Sequence, residues 1–321
     1  MSTTTLQAYV EQFLSERHRL GFTTQSMRYA LASFVRQVDA QGSARPLTVE
    51  AMAAWARHPT RPSNNPATWA RRLKRLRPFL RWLRQFEPRT EVPDDAIFGS
   101  VGPRLTPHIY TPEEITGLLA AARRLRPPLR GATYETLFGL LAAAGLRVSE
   151  ALHLRTADVD LTAGLLTVRQ TKFAKSRHVP LHPSTVAALQ RYAAQRQVAN
   201  SADPDTPFFV ATRGRRRGTA LRLRQVDRVF GQLREQLGWV NRGAHAAPRI
   251  HDLRHTFVVR RLLLWQAQGI DIDQQMLALA TYVGHAMVTN TYWYLTAVPE
   301  LMAPAADRFE PLLPAAEVNH G

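Results

Sequence analysis

Between residues 87 and 110 the chain carries four Pro and two Gly and almost no hydrophobic periodicity. Regular structure does not run through such a stretch, because Pro lacks the backbone donor and Gly is conformationally loose. The chain is therefore expected to fold as two bodies joined there, and 321 residues suffice for two cores. The bounds we read are 1–90 for a helical N-terminal domain, 91–110 for the linker and 111–321 for a second domain.

Upstream of the joint, apolar residues recur at helical spacing. Leu6, Val10, Phe13 and Leu14 mark a helix over 5–20 that Gly21 ends, 25–38 repeats the pattern, and 47–56 follows a Pro. Asn64 or Asn65 can cap a fourth helix over 67–86, which Pro78 should kink or divide. Downstream, Thr111-Pro112-Glu113-Glu114 is a helix start: Thr caps, Pro suits the first helical position and the two Glu complement the helix dipole. Helices are expected to about 144 and over 148–154. The period then changes, and 164–168 and 177–181 read as short strands around a polar turn at 170–176, with Asp158 and Asp160 shaping the turn before them. Helices return over 183–195, 222–237, 252–267, 273–282 and 287–296, with a short apolar run at 208–210 and a loose tail beyond Pro311. The fold class is mainly α with a small antiparallel β-sheet, α+β.

Charge narrows the partners. Forty-two Lys+Arg against 25 Asp+Glu leave +17 at neutral pH, and a polyanion is the simplest reason to keep that much self-repelling charge. No apolar run reaches the length of a membrane span, and the N-terminus lacks a signal-peptide pattern, so we expect a cytoplasmic protein and nucleic acid rather than membrane. Cys is absent, which removes disulfides, thiolate catalysis and Cys-ligated zinc. Two clusters concentrate the charge. Arg71, Arg72, Lys74, Arg75, Arg77 and Arg81 are interleaved with apolar residues on one helix, and Arg213, Arg215, Arg216 and Arg217 crowd one loop. Both suit phosphate contacts; Lys175 and Arg177 join them as DNA-contact candidates.

No phosphate-cradling Gly loop and no G-x-S-x-G elbow occurs. His251 and His255 stand at zinc-ligand spacing, but Asp252 occupies the position where a zinc protease needs Glu, so no metal or other cofactor is expected. A phosphate-binding face suits His251 and Arg254 better, since a guanidinium binds phosphate bidentately. Glu150 reads as support for Arg147, and His255 as packing around the site. In chain order come Gly145-Leu146-Arg147-Val148-Ser149-Glu150, Lys172 in the turn, His251-Asp252-Leu253-Arg254-His255-Thr256-Phe257, Val283-Gly284-His285, and Tyr294 nine residues later.

This ordered set resembles the tyrosine recombinase family of phage integrases and Xer enzymes. The resemblance covers about residues 111–305, and the helical N-terminal part is similar to the family's SAM-like core-binding domain. It implies a two-domain DNA clamp and a site-specific recombinase that forms a 3′-phosphotyrosine link without metal or ATP. It assigns Arg147 and Arg254 to the phosphate, His251 to the phenolic proton or to positioning, His285 to a phosphate oxygen, Lys172 (with Lys175 its rival) to the departing 5′ oxygen, and Tyr294 to the attack, with Tyr292 as the decoy. It also implies a homotetramer on synapsed double-stranded DNA sites, at the bacterial nucleoid, with accessory directionality factors or a sister recombinase as further partners. A mobile element is the expected source. Strand relaxation of the type IB topoisomerase kind and a catalytically silent DNA-binding module are the alternatives.

Overall fold

The computed structural model describes residues 4–22, 24–42, 46–58, 63–99, 102, 104–169, 176–199 and 203–297. The chain divides into two compact units, 1–104 and 105–321. The expected linker is shared between them. Glu91 accepts the Val49 N–H and donates its own N–H to Leu47, Asp95 pairs with Arg77, and Phe98 packs on Trp69, all within the first unit. Residues 105–110 belong to the second, where the Tyr110 N–H donates to Thr256 and its hydroxyl to the Arg249 carbonyl.

The first unit holds α1 (Leu6–Arg19), α2 (Gln25–Ala40), α3 (Val49–Arg57) and α4 (Pro66–Leu83). Thr5, Thr48 and Asn65 cap α1, α3 and α4 through their side chains, each meeting an otherwise orphaned backbone donor. Leu6, Phe13, Leu31, Phe34, Trp55, Leu73, Leu76, Phe79 and Leu83 form one core. Each such side chain contributes about 1.5–3 kcal/mol of burial. Pro78 does not divide α4. Its missing donor would have met the Lys74 carbonyl, and Lys74 is exposed, so water can take that bond.

The second unit holds α5 (Pro112–Arg123), α6 (Pro128–Ala144), α7 (Val148–Leu152), β1 (Val159–Asp160), β2 (Leu165–Val168), β3 (Arg177–Pro180), α8 (Pro183–Ala199), α9 (Leu223–Leu237), α10 (Asp252–Ala267), α11 (Ile272–Val283) and α12 (Thr289–Ala297). Thr111 and Glu114 close a reciprocal cap at the start of α5, as their spacing requires. The strands form one antiparallel sheet in the order β1-β2-β3, with Val159 opposite Leu166 and Leu166 opposite Val179. β1 is new relative to the sequence reading. Asp160 does shape the turn, its carboxylate accepting the Thr162 and Ala163 N–H groups. The apolar run 208–210 is buried but enters only isolated bridges, Arg155 to Pro207 and Val210 to Ala220.

The core of this unit has two parts. One lies among α5, α6, α8, α9 and the sheet; the other joins α10, α11 and α12 through Val258, Leu262, Met276, Leu279, Val283 and Tyr294. The Phe257 ring stacks on Tyr282 at 5.6 Å, and a Cβ on Gly145 would stand only 2.5 Å from that ring. Gly145 is thus needed twice, for its left-handed φ of 60° at the end of α6 and for this close approach. Among the described residues no helix is long and apolar enough to cross a membrane.

Candidate active site

The turn after α6 begins the site. Gly145 presents its carbonyl to Arg254 Nη1 at 2.8 Å, and Arg147 follows as the residue capping α7. Glu150, one turn on, accepts the Arg147 backbone N–H at 2.9 Å and its Nη1 at 2.7 Å. The other Arg147 nitrogen, Nη2, donates 2.8 Å to the carbonyl of Gly284, between α11 and α12. Arg147 is thus fixed from two directions while its side chain keeps 32% exposure. A cleft of about 740 Å³ opens beside it, bounded by Ser149, His153, Arg155 and Arg169.

Arg177 completes this network. Its Nη1 and Nη2 reach the two Glu150 oxygens at 3.1 and 2.9 Å, and its Nε donates 2.9 Å to the Tyr282 carbonyl. Gly284 lies flat against the same guanidinium, where a Cβ would meet it at 2.6 Å. Arg177 is a DNA-contact candidate by sequence, but its nitrogens are engaged inside the protein. Arg177 and Val179 share one face of β3, and Val179 is fully buried, so that face points inward. Burial alone would raise the Glu150 pKa; the bonds and charges of Arg177 and Arg147 outweigh it and hold the carboxyl at about 2. Removing this carboxylate leaves two guanidiniums facing each other. Glu150→Ala is therefore expected to lose about 3–5 kcal/mol of stability, read by urea unfolding of the full chain.

The start of α10 supplies the middle of the site. Asp252 is buried and pairs with Arg249 at 2.7 Å, closing the first turn. Arg254 is 2% exposed, and its Nη2 is buried without a partner. Desolvation by burial, then the nearby charge of Arg147, pulls the guanidinium down to about 9, so it stays charged at neutral pH. An unpartnered buried donor on a cation costs free energy that an acceptor recovers, an anionic one most strongly. Two further guanidiniums, Arg147 and Arg177, act on Arg254, so three stand against the carboxylate of Glu150. His251 adds no charge, because burial and Arg254 lower its pKa to about 4.

That shift carries a stability prediction. Unfolded His251 titrates near 6.5, so below that pH the unfolded chain binds a proton that the folded chain refuses down to about 4. Stability from this group is full above about 6.5 and falls as pH drops toward 4, by about 3 kcal/mol at most. His251→Asn should flatten the change in melting temperature between pH 7 and pH 5.

The turn between α11 and α12 brings in the last residues. Gly284 takes φ 73° to end α11. His285 Nδ1 lies 2.7 Å from the Thr291 hydroxyl, and its ring is parallel to Tyr294 at 6.4 Å. Tyr294 is fully buried, and its hydroxyl sits 2.5 Å from Nδ1 of His255. His255 in turn meets His251 edge to face at 4.8 Å. The family resemblance assigns His251 to the phenolic proton or to positioning, with His255 packing or buttressing the site. In the structure the phenol's partner is His255, one helical turn further and directly after Arg254.

The structure thus brings Arg147, His251, Arg254, His285 and Tyr294 together. Lys172 and Lys175 lie outside the described residues. Tyr292 points away, 38% exposed and bonded to Asp273. On α4, Arg71, Lys74, Arg75 and Arg81 are exposed and share one face at helical spacing. Arg72 turns to the Ala56 carbonyl at 2.5 Å, and Arg77 is held by Asp95 at 2.8 Å. A groove of about 460 Å³ between α2 and α4 is lined by Tyr29, Ser33, Arg71 and Arg75. Arg215 and Arg217 are exposed, Arg216 is half-buried, and Arg213 donates to the Arg126 carbonyl.

Residues 109–300 match the Phage integrase family. The chain is 37% identical over 311 residues to the putative integrase/recombinase y4rB of Sinorhizobium fredii, covering 95% of this chain and 97% of the relative. It is 29% identical over 298 residues to the tyrosine recombinase XerD of Xanthomonas axonopodis pv. citri, covering 90% and 91%. Its fold is similar to the XerH site-specific recombinase bound to palindromic difH substrate, with a TM-score of 0.63 at 17% identity over 95% and 85% of the two chains. It is also similar to a lambda integrase tetramer bound to a Holliday junction, with a TM-score of 0.58 at 17% identity over 89% and 79%.

Proposed function

The chain belongs to the phage integrase family, the tyrosine recombinases that cleave and rejoin DNA, and from that premise we propose that Tyr294 is the nucleophile of its site-specific strand exchange. The observation that carries the assignment is the pair of arginines with spare positive charge. Arg254 holds a buried donor without a partner beside Arg147, and Tyr294 is close enough for its charge to act on Arg254. A phosphodiester brings one negative charge, and the pentavalent state of its displacement brings two. Three guanidiniums against one carboxylate suit that change in charge.

The step is a substitution at phosphorus. The Tyr294 oxygen bonds to the phosphate as its proton leaves, the bond to the 5′ oxygen breaks, and a general acid protonates that oxygen. Lys172 is the acid that the family resemblance assigns. His285, anchored on Thr291, donates to a phosphate oxygen. The ester bond energy is kept in the 3′-phosphotyrosine link, so rejoining is the same step reversed. The exposed basic face of α4 and the loop at 213–217 contact the DNA backbone, supported by their charge and exposure. We read residues 1–90 as the core-binding domain, 91–110 as the joint and 111–321 as the catalytic domain of a clamp. We also read the working form as a homotetramer on two duplexes at the nucleoid, encoded by a mobile element.

The test uses nicked duplexes tiled across the DNA flanking the protein's own gene. The expected result is an SDS-stable protein–DNA adduct at one position, formed without metal or ATP. Tight binding with no adduct at any position would instead mark a silent DNA-binding module.

A further inference from the structure

His255 is the residue that the phosphate-binding argument leaves without a task. It is 5% exposed, and its Nδ1 is 2.5 Å from the Tyr294 hydroxyl. Its ring also meets His251 edge to face at 4.8 Å and Trp293 at 6.4 Å. It follows Arg254 directly on α10. The helix therefore sets the phosphate-facing guanidinium and the phenol-facing imidazole one residue apart, on adjacent faces.

We propose that His255 is a further catalytic residue, the base that takes the Tyr294 proton as the phenol attacks; this deepens the proposed function and rests on it. Phenol is a weak nucleophile until it loses its proton, and its pKa near 10 leaves little phenolate at neutral pH. A base must sit within hydrogen-bond reach of the proton it removes. His255 meets that requirement before DNA arrives, with the Nε2–H tautomer leaving Nδ1 as acceptor. In the forward step the proton moves from Tyr294 Oη to His255 Nδ1. The Oη–phosphorus bond forms, the phosphorus–O5′ bond breaks, and the 5′ oxygen takes a proton from the general acid. In rejoining, the imidazolium returns its proton to the departing phenolate. His251 then has a different part. Its neutral ring lies against His255 and keeps a second positive charge away from the imidazolium that forms.

The experiment measures single-turnover adduct formation by the full chain on the nicked duplex that wild type cleaves. His255→Asn is the variant, because its Oδ1 can occupy the Nδ1 position and accept the phenol's bond but cannot take the proton. His251→Asn is made alongside. In each background Tyr294 is also replaced site-specifically by a ring-fluorinated tyrosine, whose phenol ionises at much lower pH. His255→Asn should slow adduct formation about 100-fold, with DNA affinity and melting temperature kept close to wild type. The fluorinated nucleophile should then recover at least about tenfold of that loss, and should not speed the wild type. Lost packing could not be repaired in this way, since it does not depend on the acidity of the phenol. An adduct rate in His255→Asn within about threefold of wild type would overturn the assignment. So would a loss that the fluorinated tyrosine leaves unchanged, or a rescue confined to His251→Asn. No adduct from wild type anywhere would overturn the whole reading of the site, and is distinct from an adduct that persists without His255.

Discussion

Tyr294→Phe is expected to give no adduct at all while the protein still folds and still binds its DNA. The expected loss is on the order of 10⁴-fold or more, as when other enzymes lose a nucleophile. The ring would stay in place, because it is fully buried among Val258, Leu262, Met276 and Leu279 and the substitution removes only an oxygen. The bond to His255 that the fold gives up is worth about 1 kcal/mol. DNA affinity should change little, because the exposed cations of α4 and the loop at 213–217 are untouched. Tyr292→Phe is the matched control. That ring is exposed and bonded to Asp273, so its adduct yield should equal wild type. Gel shifts and SDS gels on the same labelled duplex read all three proteins. An adduct that survives in Tyr294→Phe but disappears in Tyr292→Phe would move the nucleophile to the neighbouring tyrosine.

Arg254→Lys should follow closely, slowing adduct formation about 10²–10³-fold with modest effect on binding. Arg254 has two separate duties on one planar group. Nη1 holds the Gly145 carbonyl at 2.8 Å, and Nη2 waits buried and without a partner. A lysine ammonium keeps the charge but is a single point. It can hold the carbonyl or reach the phosphate, and cannot do both in this geometry. Since Arg254 is 2% exposed, it adds little to the surface charge that draws DNA in. The loss should therefore fall on the cleavage rate at saturating DNA. A cleavage rate within about threefold of wild type would show that Arg147 alone carries the phosphate.

Most of the fold was readable because its signals are local. Helix caps at Asn65 and Thr111 and apolar spacing on α1 to α4 follow from neighbours three or four positions away. Three features escaped. β1 is two residues long, too short to show alternation, and exists because β2 is beside it. Pro78 was expected to kink or divide α4, and the helix runs through it undivided, beside an exposed Lys74. Arg177 was read as one more surface cation, because charge is visible in a sequence and the partner that neutralises it is not.

The site divides in the same way. The order of Arg147, His251, Arg254, His285 and Tyr294, and their residue types, are properties of the chain alone. They were enough to name the chemistry because that order resembles the tyrosine recombinase pattern, which implies a phosphate clamped by two guanidiniums and attacked by a tyrosine. Which imidazole meets the phenol was decided only by the tertiary structure. It depends on how α12 lies across α10, which brings residues 39 apart in sequence to 2.5 Å. The inward turn of Arg177 is likewise set by Glu150 and the Tyr282 carbonyl, which are distant in the chain. Local pattern determines what each segment forms and which residue types it offers. Burial and long-range packing determine which of those groups touch, and hence which one receives the proton.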